Sequence, residues 1–113
     1  MDNCIFCMIA NKQIPSQCLY EDDKVMAFKD VNPQAPVHVL VIPKEHYVSV
    51  DDINEENSGI VARCFEVIAK LAKELGVQGG YRVISNCGES AGQTVKHLHF
   101  HILGGKKLEE ETL

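Results

Sequence analysis

HLHFHIL, residues 97–103, alternates three of the chain's five histidines with leucine, phenylalanine and isoleucine. A period of two marks a strand whose two faces meet different surroundings. On that reading Leu98, Phe100 and Ile102 enter a core, while His97, His99 and His101 share the opposite face. A merely solvated face would be served by Thr, Lys or Glu. Three imidazoles in register point to chemistry instead. They are either ligands for a metal or a nucleophile with its helpers, because imidazole binds zinc and titrates near neutral pH.

The neighbouring sequence sets this strand in a fold. CLYED (18–22) and KVMAFKD (24–30) read as a hairpin, and VHVLVIPK (37–44) as a central strand rich in β-branched residues. Residues 54–75 follow helical rules, with Asn54 or Asp52 as cap and a stripe of Val61, Phe65, Ile68, Leu71, Ala72 and Leu75; Gly76 ends it. YRVIS (81–85) and KHLHFHIL (96–103) are the last strands, and CIFCMIANKQ (4–13) is a short helix that stops before Pro15. The fold class is α+β: an antiparallel five-stranded sheet with one long helix and a short N-terminal helix.

NCGESAGQT (86–94) runs straight into the histidine strand. Its glycines let main-chain N–H groups approach an anion, and Gln93 and Thr94 add an amide and a hydroxyl, the parts of an anion nest. Walker spacing is absent. At 113 residues, 45% hydrophobic and 24% charged, the chain has the size and composition of one globular domain, 1–113. A net charge of -5 offers no basic footprint for nucleic acid. No apolar run approaches the roughly 20 residues of a membrane helix. The early acid in MDNCIFCMIA argues against a signal peptide, and five cysteines, an odd number, suit a reducing cytoplasm better than a disulfide framework.

Three segments in order, IFCMIANKQIPS (5–16), YEDDKVMAFKDVNPQAPVHVLVIPKEH (20–46) and AGQTVKHLHFHILGG (91–105), resemble the histidine triad family. They look like its nucleotide-binding branch, whose members act as nucleoside phosphoramidases. The resemblance implies a histidine triad domain, a homodimer whose two sheets join into one, and a purine nucleoside monophosphate or phosphoramidate as ligand. It implies that His99 attacks the α-phosphorus and expels the amine, and that water then cleaves the nucleotidyl-histidine. His101 would contact the phosphate, His97 would complete the triad and His38 would support it. Thr94 would lie beside the leaving group, with Asn86, Gly92, Gln93 and Val95 at the phosphate end. Asp30 would grip the ribose hydroxyls, and Phe6, Ile9, Phe28 and Val31 would form the slot for the base. No cofactor is required for this chemistry. A neutral imidazole attacks without a separate base when its other nitrogen donates a hydrogen bond, and preorganised donors stabilise the charge that develops on phosphoryl oxygens.

Other readings stay open. AGQTVKH also resembles the dinucleoside polyphosphate hydrolase branch, although DVNPQAP and LGG favour the phosphoramidases. A non-catalytic nucleotide-binding scaffold and a three-histidine zinc hydrolase are the further alternatives. The polar, acidic tail KKLEEETL (106–113) differs from the longer or aromatic tails of phosphoramidase relatives, which leaves the preferred amine undecided.

Cys4 and Cys7 form a C-x-x-C, which alone is half a zinc site. His46 and His97 would complete a closed tetrahedral set of two sulfurs and two nitrogens. Some histidine triad relatives hold zinc at matching positions, so a structural zinc at Cys4, Cys7, His46 and His97 is expected. The alternative is a pair of small buried thiols. Cys18, Cys64 and Cys87 read as structural.

Overall fold

A computed structural model describes residues 3–110; the last three residues of the acidic tail lie outside this range. Helix α1 spans Ile5–Ala10 and is followed by β1 (Cys18–Glu21), β2 (Val25–Lys29) and β3 (Val37–Pro43). Helix α2 covers Gly59–Glu74, and β4 (Tyr81–Ile84) and β5 (Phe100–Gly104) complete one sheet in the order β1-β2-β3-β5-β4. Every neighbouring pair is antiparallel. The α+β architecture expected above is the one observed. Among the described residues no helix is long and apolar enough to cross a membrane.

Two boundaries differ most from the sequence reading, each for a local reason. Helix α2 begins at Gly59, not at residue 54. Asn54 Oδ1 accepts the N–H groups of Glu56 and Asn57, while Asn57 Oδ1 accepts that of Asn54. This reciprocal pair caps a turn ahead of the helix. The final strand begins at Phe100, not at Lys96. Its partner β3 ends at Pro43, which has no N–H to offer a ladder. The Leu98 N–H goes to the Tyr47 carbonyl instead, 2.6 Å away.

The sheet has a different core on each face. Val25, Ala27, Val39, Val41, Phe100 and Ile102 pack with Leu98 against Cys64, Val67, Ile68 and Leu71 of α2. On the other face Met26, Phe28, Leu40 and Ile42 pack against Phe6, Ile9 and Ala10 of α1. A six-residue helix covers only part of a five-stranded sheet. His38 and His101 lie on this second face, since register pairs Leu40 with His101 across the β3–β5 ladder.

Candidate active site

His97, His99 and His101 leave the α2 face to Leu98, Phe100 and Ile102, as alternation requires. His97 and His99 are 0% and 5% exposed although both precede the regular strand. Each ring is fixed by a partner whose chemistry settles its tautomer. The His97 carbonyl can only accept, so His99 donates from Nδ1 to it at 2.6 Å, and the His99 Nε2 lone pair is left free. The Gln34 N–H can only donate, so His38 accepts at Nδ1 (3.0 Å) and carries its proton on Nε2. That proton faces His101 Nδ1 at 2.9 Å and, more distantly, Asp30 Oδ2 at 3.3 Å. His101 in turn keeps its own proton on Nε2.

Neither His99 Nε2 nor His101 Nε2 is hydrogen-bonded, yet no buried side-chain nitrogen or oxygen among the described residues lacks a partner. Both atoms therefore reach solvent: one lone pair and one N–H open side by side. The two rings lie 5.0 Å apart, centroid to centroid. Burial pushes the His99 imidazole below its ordinary range and His101 down to about 4, with His99 and His38 beside His101 adding to the effect. Burial lowers His38 as well, against the pull of the Asp30 carboxylate. The site holds neutral imidazoles at neutral pH.

The loop after β4 closes on itself rather than opening as the expected nest: the Ala91 and Gln93 N–H groups go to the Gly88 carbonyl, the Gly92 N–H to the Glu89 carbonyl and the Gly88 N–H to Gln93 Oε1. Gly88 and Gly92 adopt φ of +87° and +92°, which side chains rarely allow. A Cβ on Gly92 would lie 3.8 Å from Asn86 Nδ2, so the glycine and the amide are neighbours. Gln93 is placed differently from the phosphate ligand expected. Its Nε2 donates to the Val48 and Val95 carbonyls, and its Oε1 accepts the Gly88 N–H. Both amide hydrogens are engaged, so Gln93 braces the loop. Thr94 is exposed and Val95 half-buried; both line a cleft of about 430 Å³ that they share with Cys4, Ile5 and His46.

Phe6, Ile9 and Phe28 belong to the α1 core, and Phe6 sets its edge against the His99 ring with centroids 5.1 Å apart. Val31 is fully exposed and packs against none of them. The Asp30 carboxylate caps its own turn through the Asn32 N–H and is otherwise shared with His38.

The four residues expected to hold zinc come together, with their ligand atoms within 4.8 Å of one another. Cys4 Sγ lies 3.4 Å and Cys7 Sγ 3.5 Å from His97 Nδ1, and Cys7 Sγ lies 3.2 Å from His46 Nδ1. A tetrahedral ion with sulfur at about 2.3 Å and nitrogen at about 2.0–2.1 Å separates such donors by roughly 3.6 Å. His97 gives its Nε2 proton to the Pro43 carbonyl at 2.8 Å and so turns the Nδ1 lone pair to the sulfurs. The donor set therefore fits zinc in type, spacing and tautomer. Among the described residues His97, His99 and His101 do not bring three ligand nitrogens within 4.8 Å of one another, contrary to a three-histidine metal site. Burial raises the Cys7 thiol to about 11, with the neighbouring Cys4 adding to it, the reverse of a redox-active cysteine. Cys64 is buried in the α2 core, Cys87 donates to Ser49 Oγ and Cys18 is exposed.

Sequence reasoning missed the groups that orient the histidines. These are the Pro43 and His97 carbonyls, the Gln34 N–H, and the Ser85 hydroxyl, which donates to the His99 carbonyl at 2.8 Å. Three of the four are main-chain atoms and carry no signal in residue type.

The family described as Scavenger mRNA decapping enzyme C-term binding matches residues 3–111. The purine nucleoside phosphoramidase of Escherichia coli is 43% identical over 105 residues, 92% of this chain and 88% of that protein. Protein HitA of Neisseria gonorrhoeae is 44% identical over 104 residues, 92% of this chain and 97% of its own. Among solved structures, a HIT family hydrolase from Clostridium thermocellum superposes with a TM-score of 0.96 at 50% identity, covering 100% of this chain and 99% of that one. A histidine triad protein from Clostridium difficile gives 0.92 at 58% identity, over 97% of this chain and 96% of its own.

Proposed function

The chain belongs to the histidine triad family, and we propose that it is a cytoplasmic nucleotide hydrolase that cleaves the P–N bond of purine nucleoside 5′-phosphoramidates. The observation that carries this reading is His99, whose Nδ1–H is held by the His97 carbonyl while Nε2 opens to solvent beside the His101 N–H. The similarity to a purine nucleoside phosphoramidase supports the substrate class.

The steps balance with the groups present. The His99 Nε2 lone pair forms a bond to the α-phosphorus as the P–N bond breaks, and the amine leaves with a proton. The positive charge gained by the imidazole is delocalised to Nδ1, where the His97 carbonyl accepts its hydrogen bond. The neutral His101 N–H, backed by His38 and Asp30, donates a hydrogen bond that stabilises the phosphoryl oxygens, and the departing amine takes its proton from solvent water. Water then attacks phosphorus and loses a proton to solvent, the P–Nε2 bond breaks with its electron pair returning to Nε2, and the nucleoside monophosphate leaves His99 neutral again. The Asn86 amide, held beside Gly92 by a loop that closes on its own N–H groups, would meet the phosphate. Asp30 would take the ribose hydroxyls, and Phe6, Ile9 and Phe28 would wall the base, with Val31 at its outer edge.

Cys4, Cys7, His46 and His97 would hold a zinc ion in a closed site, where it supplies structure and no Lewis acid to the substrate. A homodimer is part of the same reading. The free edge of β4 and the nearby Phe65, 48% exposed on α2, are surfaces that a second copy would cover.

The test is a rapid-quench reaction with an adenosine 5′-phosphoramidate, read by amine release and by intact mass. The reading expects turnover and a transient adenylyl group mapped to the peptide containing His99. Faster cleavage of diadenosine polyphosphate would move the assignment to that branch, and binding of AMP without turnover of either would leave a scaffold. Metal analysis of the purified protein should find one zinc per chain.

A further inference from the structure

The residue shared by the two halves of this region is His97. Its ring belongs to the sulfur–imidazole cluster through Nδ1, 3.4 and 3.5 Å from Cys4 and Cys7 Sγ. Its carbonyl belongs to the nucleophile, as the acceptor of the His99 Nδ1–H at 2.6 Å. One residue thus ends one site and orients the other. A second link runs through α1. Phe6 stands between Cys4 and Cys7 in sequence and sets its edge against both rings, with centroids 6.0 Å from His97 and 5.1 Å from His99. A helix of six residues has little stability alone, so its seating depends on its tertiary ties. Two of those ties are its first-turn cysteines: Cys4 caps the helix by accepting the Cys7 N–H, and Cys7 reaches His46 across 39 residues.

We infer that the Cys4–Cys7–His46 cluster controls the nucleophile, with His97 as the positioning residue, so that closing the cluster around a zinc-type ion holds His99 in its attack-ready tautomer. This goes beyond a structural role for the metal and rests on the reading of His99 as nucleophile. When the cluster is open, His97 and α1 keep only their remaining ties. The His99 ring then loses both its fixed acceptor and the Phe6 edge, and the Nδ1–H and Nε2–H tautomers mix. Linkage makes the effect reciprocal: if metal favours the ordered pocket, a nucleotide seated there must tighten the metal by the same factor.

The test compares zinc-loaded and chelator-stripped wild type with Cys4→Ser and His46→Asn, using zinc and AMP as probes. Histidine ¹⁵N spectra should show a single Nδ1–H tautomer for His99 in the loaded protein and a mixture in the stripped protein and both variants. Zinc affinity should rise with AMP, and AMP affinity with zinc, by one common factor of about 5 or more. Single-turnover adenylylation should fall about 10-fold or more on stripping. The spectra and the two affinities need no turnover, so they stand even if the proposed reaction fails. Global melts of each variant separate positioning from collapse, because a folded variant with a mixed tautomer is the expected result. Failure to bind zinc would overturn the inference. So would zinc binding that leaves the His99 tautomer and AMP affinity unchanged.

Discussion

The two faces of the sheet are made from the same short strands and do different work. The α2 face is closed: Val41, Ile102, Cys64 and Ile68 are at most 2% exposed, and among the described residues its one buried ionisable group is the Cys64 thiol, pushed up to about 12 by burial. The α1 face is half-covered and carries His38, His97, His99 and His101 among its apolar residues. Along residues 98–102 the faces alternate residue by residue. Stability and chemistry are therefore separable by residue parity, a division that substitutions can break or sharpen.

The largest effect is expected at His99. His99→Ala removes the nucleophile and should lower turnover of an adenosine phosphoramidate about 10,000-fold. The melting temperature should fall only modestly, because the ring, although packed on Phe6 and bonded to the His97 carbonyl, turns Nε2 to solvent. A variant that retained a tenth of the activity would assign the nucleophile elsewhere. Leu71→Ala is the converse on the closed face. Leu71 is 2% exposed in the α2 core, and its truncation should cost about 2–5 kcal/mol in urea unfolding. Activity per folded molecule should be unchanged. If kcat fell with stability, the faces would not be independent.

Acid should distinguish the faces next. His101 titrates at about 4 when folded and near 6.5 when unfolded, and His38 and His99 shift in the same direction. Between those values the unfolded chain takes up protons that the folded chain refuses. The histidine contribution is thus fully present above about pH 6.5 and is lost as pH falls toward about 4. A further loss between about 3.8 and 2 belongs to Asp22, whose carboxyl is held down to about 2, against its own burial, by the Lys24 and Val25 N–H groups, Tyr20 and Arg63. Urea midpoints across this range should show two steps, and replacing His101 with Gln should shrink the upper one.

The closed face was legible in the sequence because period two and period 3.6 are properties of residue type. Even there the reading erred by part of a turn. Phe65 was expected in the helix stripe and is 48% exposed against Phe100, while Cys64 and Val67 are buried in its place. Weighting large residues over small ones rotates the inferred face. On the open face the imidazoles and thiols announced themselves, and the four-residue cluster was expected from donor chemistry together with the family resemblance. What stayed hidden was the set of main-chain acceptors and donors that select tautomers. A carbonyl at Pro43 or His97 looks in sequence like every other carbonyl, and only the fold decides which ring it meets. Gln93 misled for the opposite reason: its amide suits an anion, but the loop uses it internally.

The smallest predicted effect probes the least legible contact. Ser85 follows β4 and donates to the His99 carbonyl, holding the main chain of the nucleophile. Ser85→Ala leaves that carbonyl without its donor. Ser85 is half-buried, so water can replace the hydroxyl, and the loss should be about 1 kcal/mol, near the middle of the range for a single neutral hydrogen bond. Because the contact orients His99 without touching substrate, the loss should fall on kcat, about fivefold, with KM little altered. Ser85→Thr keeps the hydroxyl and should restore most of the rate. A KM effect of equal size would place Ser85 in the binding of the phosphate. An unchanged kcat would mean that the His97 carbonyl and the Phe6 edge orient the ring without help from β4.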